Sequence, residues 1–266
     1  MSVVEIERTD GVMTIRLNRP DRLNALGMEM RTEMANAWCE FQESRDLEVA
    51  IFTGTGRAFC AGEDMKESVE RGKAGSIAAP TAKEDLYRNG KLEKPVIVAI
   101  NGFAMGGGFQ LVERADLRLA VRGAVFESSE AKRWLIGGHH HGHIGNLPHA
   151  IATEMAFAFR FTAERLYEVG FLNRLVDAEQ LMPSAHEMAK HLLSLPPASR
   201  LNTLAIMRAM RPQVPEKLER YAARLKEHGA KSDLMESRKA FAEKRAPNFK
   251  GWDNPEDRYR MPKLEE

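Results

Sequence analysis

The stretch from Lys94 to Arg114 constrains the fold of this 266-residue chain more than any other segment. Residues Val96–Ile100 form a short apolar run rich in β-branched residues, which is typical of a buried strand. Glycines follow at 102 and 106–108, and Phe109–Arg114 then predicts the opening of a helix. Such a turn presents bare backbone N–H groups and the positive end of a helix dipole to a ligand. The stretch therefore predicts either a site for negative charge on a ligand oxygen or a tight strand–helix crossover.

These glycines do not follow a nucleotide-binding pattern, because they lack the dinucleotide spacing and no Lys-Ser or Lys-Thr follows them. Lysine and arginine number 39 against 38 aspartates and glutamates, so the charge gives no support for a nucleic-acid partner. Cys39 and Cys60 make no disulfide framework and suit a reduced compartment. No run approaches the roughly 18 apolar residues of a membrane span, and no charged-then-apolar leader opens the chain. We therefore expect a cytoplasmic protein with no membrane or nucleic-acid partner.

The other segments predict a strand-rich part followed by a helical part. Alternating residues on either side of Asp10-Gly11 predict a hairpin over 3–17, and apolar residues at helical spacing predict a helix over Met28–Ser44. Further strands are predicted at Glu48–Thr53, Asp116–Val121 and Ala124–Phe126, and further helices at Met65–Arg71, Lys83–Glu93, Ala150–Phe161, Ala163–Val169, Ala178–Leu195, Pro197–Met210 and Pro215–Ala246, the last continuous or broken near Gly229. This order predicts an α/β core over residues 1–195 and a helical region with a tail over 196–266.

Two glycine turns stand in order, each at the end of a predicted strand. The first is Gly54-x-Gly-x-Ala-Phe-Cys-Ala-Gly-Glu-Asp64, and the second is Ile100-Asn-Gly-x-Ala-x-Gly-Gly-Gly108. Both resemble signatures of the enoyl-CoA hydratase/isomerase (crotonase) superfamily. Further segments of the chain resemble other motifs of this family, in the same order along the sequence. They are Arg19–Leu26, Ala115–Ala120 with Phe126 and Glu130, Phe161–Leu172, Pro196-Pro and Phe241–Arg245. The resemblance runs from about residue 3 to residue 250.

This resemblance implies a spiral of β-β-α turns followed by a helical region used in trimerisation, hence a homotrimer or a dimer of trimers. It implies acyl-CoA thioesters as substrates, with coenzyme A as part of the substrate and no separate cofactor. The backbone N–H groups of Glu63 and Gly107 would hold the thioester oxygen, and two fixed donors lower the barrier to an enolate. The positions that the resemblance places at coenzyme A or the acyl group are Arg22, Leu23, Ala61, Asp64, Met65, Lys66, Trp134, Phe241 and Lys244.

The sequence departs from the family pattern at the catalytic carboxylates. Family hydratases use two glutamates, and the first of these positions holds Gln110 here. An amide can orient a water molecule but cannot act as a general base. The second position keeps Glu130, with Ser129 in place of a proline, so we predict Glu130 as the general acid/base. Glu113, one helical turn beyond Gln110, could supply a carboxylate, but it is expected to face away and to pair with Arg114 or a lysine.

A second departure is the histidine cluster Gly137-Gly-His-His-His-Gly-His143. His139 falls where some family members place a catalytic carboxylate, and a histidine there can act near neutral pH. The cluster could also line the acyl pocket or form a solvated loop. Consecutive histidines on a loop seldom converge on zinc, so we predict no metal site, although His141 and His143 are conceivable ligands with His139. The acyl pocket is expected at residues 72–90 and 130–145, of which 72–81 forms a mobile loop.

Three functions follow from these features. The first is an enoyl-CoA hydratase or 3-hydroxyacyl-CoA dehydratase that uses Glu130, with Gln110 orienting water. The second is a thioester hydrolase or C–C lyase in which a histidine of the 139–143 cluster activates water. The third is a non-catalytic protein that binds acyl-CoA or another partner. The acyl group itself cannot be predicted from these residues.

Overall fold

Two β-sheets and the helices that connect their strands make up the fold. The computed structural model describes residues 2–71, 78–79, 82–133, 136–142, 147–230 and 232–264. The strands are β1 (Val4–Thr9), β2 (Val12–Leu17), β3 (Val49–Gly54), β4 (Ala58–Cys60), β5 (Val96–Ile100), β6 (Phe103–Met105), β7 (Leu117–Val121), β8 (Val125–Glu127), β9 (Phe161–Thr162) and β10 (Arg174–Val176). The α-helices are α1 (Met28–Glu43), α2 (Met65–Glu70), α3 (Gly107–Arg114), α4 (Glu130–Arg133), α5 (His149–Ala156), α6 (Ala163–Glu168), α7 (Leu181–Ser194), α8 (Pro197–Ala209), α9 (Glu216–Gly229) and α10 (Leu234–Ala242). Short 3-10 helices cover Pro20–Arg22, Ala178–Gln180 and Pro255–Arg260.

From β3 to β8 the strands alternate between the two sheets along the chain. One sheet has six strands in the order β1-β2-β3-β5-β7-β10, and the other has four in the order β4-β6-β8-β9. Only the β1–β2 and β8–β9 pairs are antiparallel among the described strands. Three successive units therefore run strand, strand, helix: β3-β4-α2, β5-β6-α3 and β7-β8-α4. This arrangement confirms the predicted α/β spiral core followed by helices.

The two faces of the six-stranded sheet bury different side chains. Val49 and Ile51 of β3 pack with α7 in one apolar cluster, while Phe52 joins the larger core on the other face. That larger core holds an aromatic group in which the Trp38 ring stacks on Tyr87 at 4.6 Å between centroids. Because β3 lies inside the sheet and is buried on both faces, it requires a continuous apolar run rather than alternating polar and apolar residues.

The predicted helix at Lys83–Glu93 is wrong. This segment forms turns, in which the Asp85 carboxylate accepts a hydrogen bond from Arg88 N and Gly90 adopts a positive φ of 70°. The segment is anchored by Tyr87, whose hydroxyl donates to the Leu111 carbonyl oxygen at 2.5 Å in the core. Tertiary packing and turn chemistry thus override helix propensity here.

The other differences concern short elements. The two-to-three-residue strands β4, β6, β9 and β10 carry too few residues to show a period, and the prediction missed them. The sequence left the region 215–246 continuous or broken near Gly229, and the structure shows the break, because α9 ends there and α10 begins at Leu234. Most of the predicted mobile loop, residues 72–77 and 80–81, lies outside the described residues.

Candidate active site

Three turns meet at one edge of the four-stranded sheet. β4 pairs with β6 and β6 pairs with β8, all in parallel. The turn after β4 holds residues 61–64, the turn after β6 holds 106–107, and the turn after β8 leads to Glu130. The Gly106 N–H donates to the Glu127 carbonyl oxygen at 2.7 Å and so joins the last two turns. Since the carboxyl ends of parallel strands share an edge, residues far apart in sequence converge where ligands bind in α/β sheets.

The two glycine turns lie in direct contact. Gly62 has a positive φ of 85°, and a Cβ added to it would lie 2.6 Å from the Met105 carbonyl oxygen and 3.2 Å from the Gly107 nitrogen. Gly107 is the first residue of α3, so its N–H belongs to the helical turn that has no intrahelical acceptor. The expected oxyanion donors, Glu63 N–H and Gly107 N–H, therefore stand on two turns that only glycine allows to approach so closely.

The connector between β2 and α1 packs against the same edge of the sheet. The Ala61 N–H donates to the Leu23 carbonyl oxygen at 2.9 Å, and the Leu26 N–H donates to Gly62 O at 2.7 Å. Leu23 has a positive φ of 51°, and Arg22 before it is half-buried. Arg22, Leu23 and Ala61, predicted to lie at coenzyme A, are thus brought together beside the expected oxyanion donors.

Asp64, Met65 and Lys66 lie at the start of α2. The Asp64 carboxylate accepts from Lys66 N at 3.2 Å and pairs with Arg19 at 2.7 Å. Burial opposes ionisation of Asp64, but hydrogen bonds from the helix start and from Arg19 hold its pKa below the usual range. Its side chain is 4% exposed, so this geometry favours a structural role over contact with substrate. Met65 is half-buried, and Lys66 is exposed and free to reach outward.

Glu130 opens α4 at the end of the third turn. One carboxylate oxygen, Oε2, accepts a hydrogen bond from Ser128 Oγ at 2.7 Å. The other, Oε1, lies 3.1 Å from His141 Nε2. Burial would raise its pKa, but His141 and Ser128 bind the charged form, and the pKa of Glu130 falls well below its usual range. The carboxylate is therefore held ionised and oriented, with 22% of the side chain exposed.

His141 connects Glu130 to a second carboxylate. Its Nδ1 makes a short hydrogen bond with Glu113 Oε2, and the His141 ring is 1% exposed. The other oxygen of Glu113 accepts from Gly142 N at 2.5 Å, and Glu113 is fully buried. The Phe109 ring packs edge-on against His141 at 5.6 Å between centroids and closes the apolar side. We call Glu113, His141 and Glu130 the carboxylate–histidine row.

The position of Glu113 corrects the prediction made from the sequence. Glu113 does not face away to pair with Arg114 or a lysine; it faces the interior and holds His141. The signal was its place one helical turn beyond Gln110, since residues three apart lie on the same face of a helix. Gln110 itself is half-buried, and its side-chain amide makes no hydrogen bond to the described residues.

Among the described histidines of the cluster, only His141 makes a hydrogen bond with Glu130. His139 Nε2 is 3.8 Å from Glu219 of α9, and the ring helps to line a cavity of about 390 Å³ between α5 and α9. Burial, with His141 and His139 beside it, lowers the pKa of His140 to about 3. The histidine that the fold brings to Glu130 is thus His141, and a catalytic role of His139 stays a prediction. No three potential metal ligands converge among the described residues, which do not include His143.

The remaining predicted contacts lie at the C-terminal helices. α10 packs on α4, where Ser237 Oγ donates to the Lys132 carbonyl oxygen. Phe241 on this helix is 45% exposed, and Lys244 just beyond it is exposed with a positive φ of 55°. Phe241 lies on the helix that packs against α4 and Lys244 follows its end, and the role of both residues at coenzyme A stays a prediction. Trp134 lies outside the described residues.

The ββα spiral and its two adjoining glycine turns define a class of proteins, and comparison with known proteins gives that class its name. Residues 7–253 match the enoyl-CoA hydratase/isomerase family. A carnitinyl-CoA dehydratase of Salmonella typhi is 34% identical over 93% of this chain and 98% of its own length. The chain belongs to the enoyl-CoA hydratase/isomerase family.

Solved structures agree with this assignment. A carnitinyl-CoA hydratase from Mycobacterium avium superposes with a TM-score of 0.81 at 29% identity, over 94% of this chain and 99% of that one. A probable enoyl-CoA hydratase/isomerase from Mycobacterium abscessus superposes with a TM-score of 0.70 at 36% identity, again over 94% and 99%.

No helix among the described residues is long and apolar enough to cross a membrane.

Proposed function

We propose that this protein adds water to an enoyl-CoA, or removes it from a 3-hydroxyacyl-CoA, with Glu130 as the acid/base. Glu130 carries the proposal, because its oriented carboxylate stands at the sheet edge where the two glycine turns meet. Relatives named carnitinyl-CoA dehydratase and enoyl-CoA hydratase support the same reaction class.

The chemistry follows from these groups. In dehydration, the Glu130 carboxylate takes the proton on C2, and the C–H electron pair passes to the thioester oxygen as an enolate. The N–H groups of Glu63 and Gly107 stabilise that oxygen as its charge grows. The enolate then re-forms the carbonyl and makes the C2=C3 bond, while the proton on Glu130 passes to the departing 3-hydroxyl. Water leaves and Glu130 is again a carboxylate. Hydration is the reverse.

The Glu130→Gln variant tests this proposal. An amide keeps the shape of the side chain but cannot exchange protons, so we expect kcat to fall about 100- to 10,000-fold. The assay follows product mass for a panel of enoyl-CoA, 3-hydroxyacyl-CoA and carnitinyl-CoA thioesters. Binding of a non-reactive acyl-CoA should survive in the variant. Full turnover by Glu130→Gln would contradict the proposal.

The other two functions have less support from the geometry. His141 has both ring nitrogens engaged by carboxylates and is 1% exposed, which disfavours it as the base of a hydrolase or lyase. Such an enzyme would instead depend on His139. In the same panel, its product would have the mass of a free acid or of a shortened thioester. A non-catalytic protein would bind acyl-CoA without any change of mass. The homotrimeric or hexameric assembly and the cytoplasmic location stay predictions.

A further inference from the structure

The carboxylate–histidine row needs one more proton than a neutral imidazole carries. His141 Nδ1 faces Glu113 and its Nε2 faces Glu130 at 3.1 Å. An ionised carboxylate only accepts hydrogen bonds, and a neutral imidazole donates from only one nitrogen. Both contacts are satisfied only if the ring is an imidazolium or one carboxyl is protonated. The row therefore shares a proton among three groups, two of which have at most 1% of the side chain exposed.

The position of the negative charges decides where that proton lies. Glu113 is fully buried; one of its oxygens faces His141 Nδ1, and the other accepts a hydrogen bond from Gly142 N at 2.5 Å. Ser128 likewise donates to Glu130. With both carboxylates ionised, the proton belongs to His141, since an unpaired buried charge is far more costly than a paired one. Glu113 and His141 then neutralise each other, and the net charge of the row resides on Glu130.

We propose that Glu113 and His141 are positioning residues that keep Glu130 ionised and aimed at the substrate. This inference rests on the proposed function of Glu130 but concerns residues that do not themselves touch the reacting carbons. While Glu130 carries the substrate proton, the Glu113–His141 pair is neutral overall and the ring keeps its own proton. A positively charged neighbour makes protonated Glu130 a stronger acid, which favours delivery of that proton to the departing hydroxyl.

Other charged groups surround the row, and the titration of these groups must be distinguished from the titration of the row itself. They are His139 and His140 on the same loop, Glu127 on β8, Arg114 on α3, Arg118 on β7, and Glu219 and Lys226 on α9. Burial keeps His140 neutral, with a pKa of about 3. Glu127 is ionised by its pairs with Lys132 and Arg160. Burial lowers the pKa of Arg114, and it lowers the pKa of Arg118 to about 10, so the charge of Arg118 is kept below about pH 9.

The pH dependence of kcat/KM tests the proposal. Glu130 must be ionised to take the C2 proton, so its pKa in the free enzyme sets the acidic limb of the dehydration profile. Replacing His141 by Gln removes the positive charge that lowers this pKa, and the limb should move upward by about one pH unit or more. In Glu113→Gln the ring still binds its proton at the acidic pH of the limb, so this variant is read by the charge of the ring at higher pH and not by an upward move of the limb. His186→Gln, on the exposed side of α7, is the matched control.

The double variant Glu113→Gln/His141→Gln asks whether the two residues act as one unit. If they do, its limb should coincide with that of His141→Gln alone, because Glu113 acts only through the ring. A purely structural role predicts a different result: lower thermal stability and a lower kcat at every pH, with the limb unmoved. An unmoved limb in a His141→Gln variant that still folds overturns the proposal.

A second measurement does not depend on turnover. The ring nitrogens of His141, labelled with ¹⁵N and assigned by the loss of their signals in His141→Gln, report the charge of the imidazole directly. We expect an imidazolium at pH 8 in the unmodified protein and a neutral ring at that pH in Glu113→Gln. A neutral ring at pH 7 in the unmodified protein overturns the charged row. A charged ring without turnover on any thioester overturns the proposed function instead.

Discussion

The contact between the two glycine turns makes a sharp prediction for Gly62→Ala. A Cβ on Gly62 would lie 2.6 Å from the Met105 carbonyl oxygen, whereas ordinary contact begins at 3.4 Å. One turn must therefore move by about 0.8 Å, and the same methyl would stand 3.2 Å from the Gly107 nitrogen. The move separates the two N–H groups that are proposed to hold the enolate oxygen.

The expected effects can be sized. The positive φ of 85° costs an alanine about 1–2 kcal/mol, and the overlap costs about 1–3 kcal/mol more. Losing one oxyanion donor costs about 100- to 1000-fold in kcat, and a misplacement of about 1 Å can cost about 100-fold. We therefore expect Gly62→Ala to lose about 2–5 kcal/mol of stability and at least about 100-fold in kcat.

Gly170 supplies a matched control. It has a similar φ of 79°, but a Cβ added to it would meet no atom within 4 Å. Gly170→Ala should thus carry the backbone strain alone, with a loss of about 1–2 kcal/mol and an unchanged kcat. Thermal melting and steady-state turnover on the thioester found in the panel measure both variants. If Gly62→Ala turned over like Gly170→Ala, the enolate oxygen could not lie between these two turns.

Two further predictions concern groups around the site. Asp64→Asn keeps an acceptor at the start of α2 but removes the charge that pairs with Arg19, and should cost about 1–2 kcal/mol at pH 7. Because the folded pKa of Asp64 is depressed, its contribution is fully present above its unfolded pKa of about 4 and is lost as the pH falls through the folded pKa. The melting-temperature difference from the unmodified protein should therefore shrink toward pH 3, and a constant difference would contradict the ion pair. Cys60, whose pKa burial raises to about 12, should resist iodoacetamide at pH 8 until the protein unfolds. Rapid modification of the folded protein, followed by mass spectrometry of the peptide, would show that this part of the core opens.

The sequence by itself determined the family, the α/β class and most of the long elements. The glycine turns, the strand over Val96–Ile100 and the helix over Met28–Glu43 all depend on local pattern, and the structure places them where the pattern predicts. Glu130 also follows from its motif. These features can be predicted because each depends on residues close together along the chain.

Only the tertiary structure decided which groups surround Glu130. Glu113 and His141 are 28 residues apart, and nothing in their spacing indicates that α3 and the 136–142 turn pack together. The segment around Tyr87 likewise has helical propensity yet is held in turns, because the core accepts that ring and its hydroxyl. Contacts between distant segments depend on how the strands alternate between the two sheets. The charge balance at the site is therefore set by the fold rather than by any single motif.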